Sequence, residues 1–195
     1  MNIRTATKED APAISEQLFL AMEDILYEFI GVKNQEKAKA CLGYFVKREN
    51  NLYSFQNCLV AEKDDEILGS INLYDGAKSD LLRAPVLQHI RTHFNENFNP
   101  EKETQPGEYY IDSFGVSIPQ QGKGIGTELL QFVINKYTLE QQQTLGLLVD
   151  EDNPAAKKLY LKLGFKPVGR KTLVGKMMVH LQIKSIKPTT ANPNN

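Results

Sequence analysis

Three glycines at alternate positions, in Gln121-Gly122-Lys123-Gly124-Ile125-Gly126, separate two runs of different character. Before them stands Tyr109-Tyr110-Ile111-Asp112-Ser113-Phe114-Gly115-Val116, rich in the aromatic and β-branched residues of a strand. After them, Thr127-Glu128-Leu129-Leu130-Gln131-Phe132-Val133-Ile134 carries apolar residues at helical spacing. A glycine turn from strand into helix points backbone N–H groups outward from the helix N-terminus with no side chains in front of them. Such a turn is an anion cradle, and a pyrophosphate suits it.

The spacing narrows the ligand. A Walker loop requires Gly-Lys followed by Ser or Thr, whereas Lys123 is followed by Gly124. A dinucleotide fingerprint requires a third glycine three residues after the second, where this chain has Thr127 or Leu129. Gln121-x-x-Gly124-x-Gly126 instead resembles the acetyl-CoA pyrophosphate loop of the GNAT superfamily of N-acetyltransferases. A second resemblance follows in order: Asn153-Pro154-Ala155-Ala156-Lys157-Lys158-Leu159-Tyr160, then Leu163-Gly164-Phe165, is similar to that family's Asn-x-x-Ala-x-x-Leu-Tyr-x-x-x-Gly-Phe segment. The resemblance is close from Glu108 to Ile183 and looser over the rest. It implies an α/β (α+β) fold with a mixed, mainly antiparallel central sheet flanked by helices, its strands splayed at the cofactor cleft. It also implies transfer of an acetyl group from acetyl-CoA, as co-substrate and with no metal, to an amine by direct attack in a ternary complex. The acceptor would be a small molecule or a peptide or protein amine. Two alternatives remain at this level: a catalytically silent CoA-binding sensor or partner, and a nucleotide-binding α/β protein, which the glycine spacing disfavours.

By the same resemblance, Gln121, Gly122, Lys123, Gly124, Ile125, Gly126 and Thr127 would hold the pyrophosphate. Gln121 stands where the family often has arginine, so the loop would lean on its N–H groups and on Lys123 for charge. Phe114, Gly115 and Val116 would hydrogen-bond the pantetheine as a further strand. Gly115 suits a bulge or a close approach, and the Val116 N–H would face the thioester oxygen. Tyr160 occupies the place of the family's recurrent tyrosine, where a phenol would protonate the leaving thiolate. A tyrosine packing its ring on the sheet is the plainer reading. Asn153 is a helix cap and, by resemblance, a cofactor contact. For a general base, Glu108, Tyr110 and Asp112 share one strand face by alternation. Asp112 comes first, at a place where many members carry an acid, and Glu108 second. Leu148 stands where some peptide N-terminus acetylators carry a glutamate.

At 195 residues and 41% hydrophobic content the chain suits one domain, 1–186, with a disordered tail at 187–195. The formal net charge of −1 provides no basic excess for nucleic acid or an anionic membrane. No apolar leader or bilayer-length run is visible, and Cys41 and Cys58 read as small buried hydrophobes, so a cytoplasmic monomer or homodimer is expected.

The element order reads β-α-α-β-β-insertion-β-α-β-α-β-β. Ile3–Ala6 begins it, with Thr7 and Asp10 as a capping box and Pro12 in the first turn of a helix striped by Ile14, Leu18, Ala21, Ile25 and Phe29. A second helix starts after Asn34, and a hairpin turns at Lys63–Glu66. In the insertion at 75–107, Pro85 would open a helix with Leu87, Ile90, Phe94 and Phe98 on one stripe. Asn95 to Gly107 reads as a mobile polar loop, and the whole insertion would border the acceptor site. His89 and His93 at i and i+4 lack a third metal ligand. Along Met177–Ile183 the odd positions read as the buried face, which leaves His180 on the wetter one.

Overall fold

The structure, a computed structural model, describes residues 1–185; the expected tail at 187–195 lies outside them. Its elements are β1 (Asn2–Thr5), α1 (Ala11–Ile30), α2 (Gln35–Val46), β2 (Cys58–Lys63), β3 (Glu66–Asp75), α3 (Ser79–His93), β4 (Tyr109–Val116), α4 (Ile125–Ile134), β5 (Leu145–Asp150), α5 (Pro154–Lys162), β6 (Lys166–Leu173) and β7 (Lys176–Ile183). The seven strands form one sheet in the order β1-β2-β3-β4-β5-β7-β6. Only β4 and β5 pair in parallel, so the sheet is mixed and mainly antiparallel, as expected.

Alternation along the strands divides the apolar residues between two cores. On one face Val60, Tyr74 and Tyr110 meet Leu18, Leu42, Phe45, Val86 and Ile90 of α1, α2 and α3. On the other, Ile71, Ile111 and Leu147 meet Leu129, Leu130 and Val133 of α4, with Leu159 and Tyr160 of α5 against the same layer. No helix among the described residues is long and apolar enough to cross a membrane.

Local signals set the entry to α1. The Asp10 carboxylate accepts from the Thr7 backbone N–H at 2.7 Å and from the Arg4 guanidinium at 2.7 and 3.0 Å. The helix kinks at Met22 (φ −134°, ψ 28°), and its buried stripe runs Ile14, Leu18, Met22, Leu26, Phe29. Ala21 and Ile25, expected on that stripe, instead face a cleft.

Pro85 does not open α3. The helix starts six residues earlier, at Ser79, with Pro85 inside it. Proline removes one backbone hydrogen bond, but Pro85 is exposed while Val86 and Ile90 are buried, so packing holds the helix together through the break. Phe94, expected on the buried stripe, is exposed, whereas Phe98 beyond the helix packs on Phe29 with ring centroids 4.8 Å apart. The 94–107 segment is tied down rather than free. Arg83 donates to the Pro100 carbonyl, Arg91 to the Phe98 carbonyl at 2.8 Å, and Lys171 to the Glu103 carbonyl at 2.8 Å.

The bulge in β4 falls at Asp112 and not at Gly115: Ser113 pairs with Asn72 and Ile111 with Leu73, leaving Asp112 as the extra residue. Gly115 is required for packing, since a Cβ there would stand 2.0 Å from the Gln17 carbonyl oxygen of α1. At Gly146 of β5 a Cβ would stand 1.9 Å from Oε2 of Glu108. Gly146→Ala is therefore expected to expel the Glu108 carboxylate from its partners and cost roughly 3 kcal/mol or more. Chemical denaturation measures it, and a loss below about 1 kcal/mol would mean that Glu108 re-seats without cost.

Candidate active site

β4 and β5 pair only where Tyr109–Ile111 meets Leu145–Leu147. Beyond that they diverge, and the opening between them is a cleft of about 810 Å³. Residues 111–116 and 147–150 form its strand walls, α1 one side and Asn153, Ala156 and Tyr160 of α5 another. The backbone groups facing the opening follow from the ladder. Ser117 N–H donates to the Leu68 carbonyl at 2.9 Å, so alternation turns the N–H groups of Val116 and Phe114 away from β3, towards the diverged strand. Gln121 Nε2 donates to the Val116 carbonyl at 3.1 Å, on that same side.

Gln121 is where the cleft meets the glycine loop. Gly122 (φ 76°) and Gly124 (φ 89°) adopt the left-handed conformation, and Gly124 is the N-cap of α4. No side chain caps the first turn of α4, and nothing lies within 4 Å of where a Cβ on Gly122 or Gly124 would stand. The N–H groups of Ile125, Gly126 and Thr127 therefore form an open helix N-terminus. Gly126 has a different reason: a Cβ there would stand 2.6 Å from Cζ of Phe114, so it seats the helix on β4. The Ile125 side chain belongs to the core, leaving only its backbone to the loop. Lys123 donates to Gln120 Oε1 at 3.1 Å, and residues 122–127 stand outside the cleft lining.

Tyr160 lines the cleft, its ring edge-on to Phe165 at 5.9 Å, and its hydroxyl makes no hydrogen bond to the described residues. Burial pushes its phenol up to about 12, which keeps the proton on at neutral pH. The Asn153 side chain caps α5 by accepting from the Ala156 N–H at 3.1 Å, and it lines the cleft as well.

The two candidate bases part company. Asp112 is half-buried in the cleft and accepts from Tyr74 Oη at 3.0 Å. Burial, then the neighbouring Glu103 charge, holds its carboxyl well above the ordinary value. Glu108 stands just before β4, only 2% exposed and away from the cleft, and both of its carboxylate oxygens are bonded. It accepts from Thr104 at 2.8 Å, His180 Nε2 at 2.9 Å and Gln182 Nε2 at 2.7 Å. Burial alone would raise its carboxyl; those three bonds together outweigh it and leave Glu108 below its ordinary value. Glu108 is therefore a structural group, and His180, expected on the wetter face, is buried as its partner while Met177 is exposed.

Two other expectations resolve locally. His89 stacks on Tyr44 at 4.0 Å, and His93 stacks on His89 at 4.3 Å with Nδ1 on the His89 carbonyl at 2.9 Å. Cys41 and Cys58 are buried free thiols that burial pushes up to about 12, too high for nucleophilic use.

The β6–β7 hairpin wall of the cleft carries no sequence signal that picks it out. Lys176 there reaches Asp24 of α1 at 2.7 Å and Asp150 of β5 at 3.6 Å. The hairpin turn at 173–176 marks the connection, but its placement over α1 follows only from the sheet order.

Comparison with known proteins agrees with this geometry. Residues 20–165 match the model of the acetyltransferase (GNAT) family. A crystal structure of an acetyltransferase is 32% identical, covering 95% of this chain and 100% of its own, with a TM-score of 0.76. An N-acetyltransferase from Staphylococcus aureus Mu50 is 25% identical, covering 94% and 100%, with a TM-score of 0.78. The ribosomal-protein-S18-alanine N-acetyltransferase from Escherichia coli, at 15% identity over 98% of both chains and a TM-score of 0.57, shares the fold. Among proteins of curated function, no sequence matches significantly.

Proposed function

This chain belongs to the GNAT acetyltransferase family, and from that premise we propose that it moves the acetyl group of acetyl-CoA to a primary amine by direct attack, in the cleft between β4 and β5. One observation carries the reading. The diverged strands bring the outward N–H groups of Phe114 and Val116, the Tyr160 phenol and the Asp112 carboxylate to a single opening that reaches Gln121, where the glycine loop before α4 begins.

The residues divide the chemistry. Gly122–Thr127 present N–H groups to the pyrophosphate, while β4 offers its free edge to the pantetheine. Acetyl-CoA supplies an activated acyl group and a thiolate that leaves. The acceptor gives a proton to Asp112, whose raised basicity suits that task, and the freed amine attacks the thioester carbonyl. The Val116 N–H faces the oxygen that becomes negative. Tyr160, protonated at neutral pH, donates to the departing sulphur. Glu108, the second candidate base, has no part, because it is buried away from the cleft with both oxygens bonded to other side chains.

Thiol release from acetyl-CoA, measured across a panel of amines, tests the activity; CoA binding with no release from any amine would make the chain a binding protein instead. The cradle has its own test. Gly124→Val forces a β-branched residue into φ 89° before the open N-terminus, and should weaken CoA binding tenfold or more, an order-of-magnitude expectation. Calorimetry on the folded variant decides it, and unchanged affinity would falsify the assignment.

A further inference from the structure

One basic side chain crosses the cleft. Lys176 starts on the β6–β7 hairpin, and its ammonium bonds Asp24 of α1 at 2.7 Å and stands 3.6 Å from Asp150 of β5. All three residues line the opening, so this one side chain links three of its walls. Among the described residues no other cation pairs with Asp24 or Asp150. Lys33 lines the same cleft and adds its charge near Asp24 without an ion-pair contact. The bond raises the Lys176 ammonium and lowers the Asp24 carboxyl, so both ends of the link stay charged at neutral pH.

The hairpin tip is held rather than relaxed. Leu173 pairs with Lys176, so Val174 and Gly175 form a two-residue turn, both left-handed at φ 49° and 73°. Such turns favour asparagine or glycine, and a β-branched valine resists the conformation. It persists where its surroundings fix it. Glu101 accepts from the Val174 N–H at 3.2 Å on one side, and Lys176 fastens the other. The fastening itself is weak. The Lys176 and Asp24 side chains are 52% and 67% exposed, and ion pairs so open to water contribute little and give way to salt.

We propose that Lys176 is a strap across the acceptor entrance, and that an amine reaches the thioester only once its ammonium leaves Asp24 and Asp150. This rests on reading the cleft as the site of acetyl transfer. Acetyl-CoA then takes the β4 edge, Gln121 and the α5 side. What remains of the opening lies between the hairpin and the part of α1 beyond the Met22 kink, and Lys176 spans that gap. The acceptor therefore binds only the fraction of molecules in which the strap is open, and its apparent affinity falls by that fraction.

A cysteine beneath the strap reads the opening without any acceptor. Leu148 lines the cleft, half-buried, on the same face of β5 as Asp150. In a Leu148→Cys protein, alkylation by iodoacetamide, which is uncharged, reports access to that position. The native Cys41 and Cys58 are buried, with thiols held at about 12, and react slowly. Adding Lys176→Met removes the ammonium and should quicken alkylation about twofold to fivefold, the range that an exposed ion pair supports. Loss of a nearby cation raises a thiol's pKa, so thiolate formation works against that change and cannot produce it. Raising the ionic strength from about 0.01 to about 1 M should quicken labelling of Leu148→Cys by a similar factor and leave the double variant unmoved. With Leu148 restored, Lys176→Met should lower the KM of the fastest amine in the panel by that same factor, with kcat and the acetyl-CoA KM near wild type. The KM comparison needs no cysteine and decides the matter if Leu148→Cys does not fold. Equal labelling with and without the Lys176 charge, at both ionic strengths, overturns the strap and leaves the proposed function standing. Faster labelling with an unchanged amine KM overturns its place at the acceptor entrance. Failure of acetyl-CoA to bind removes the proposed function and the acceptor entrance with it.

Discussion

Replacing Tyr160 by phenylalanine is expected to lower kcat by roughly tenfold to a few thousandfold while leaving CoA affinity near wild type. The change removes one oxygen and keeps the ring, so the edge-on packing against Phe165 at 5.9 Å survives and the fold should not suffer. The hydroxyl bonds to no described residue, so its removal leaves no orphaned partner in the protein. What disappears is a proton donor. Burial holds the phenol at about 12, above its ordinary value, and the group is therefore protonated throughout the neutral range. A thiolate leaving without a donor must take its proton from water. Pre-steady-state kinetics on a well-turned-over amine separates chemistry from product release. Full wild-type turnover where chemistry limits the rate would leave Tyr160 a packing residue that merely lines the cleft.

The parts of this site that are contiguous in sequence are the parts that sequence reveals. Gln121–Gly126 and Asn153–Tyr160 each carry their geometry in a few neighbouring residues: glycines for a left-handed turn, an asparagine for a cap, a tyrosine two turns further on. The order of strands and helices along the chain follows from such local readings added together, while the strand order in the sheet and its one parallel pair do not. What stays hidden depends on partners far along the chain. Glu108 looks like a free acid on a strand until β7, 72 residues later, brings His180 onto it. The β4 bulge sits at Asp112 because of how that strand registers with β3, and Gly115, which looked like the bulge, instead makes room for Gln17 of α1. In α3, burial of Val86 and Ile90 overrides the local preference of Pro85. The polar 95–107 run gives no sign of where it docks, yet Phe98 packs on Phe29 of α1 and Glu103 accepts from Tyr110 of β4.

Asp112→Asn is expected to lower kcat/KM by about 10²- to 10⁴-fold and, at the same time, to stabilise the folded protein at neutral pH. The two effects share one cause. Burial and the Glu103 charge raise the Asp112 carboxyl in the folded state, so the folded protein holds that proton more tightly than the unfolded chain does. Stability from this group is then fully present below the ordinary carboxylate range. It is lost as pH rises from there through the raised folded value, because the folded state must either bury a charge or give up its preference for the proton. Asparagine keeps an oxygen to accept from Tyr74 and never ionises, so the variant should melt higher than wild type at pH 8 and about the same at pH 4. In catalysis the ionised form is the base, so wild-type kcat/KM should climb with pH through a limb lying above the ordinary carboxylate value, and Asp112→Asn should lack that limb. Paired melting curves and pH–rate profiles decide both halves. A variant that melts higher but keeps the limb would leave Asp112 as a buried carboxyl and assign the proton to water. A variant that loses the limb with no change in melting would show that Asp112 is better solvated in the folded protein than its position between Tyr74 and Glu103 requires.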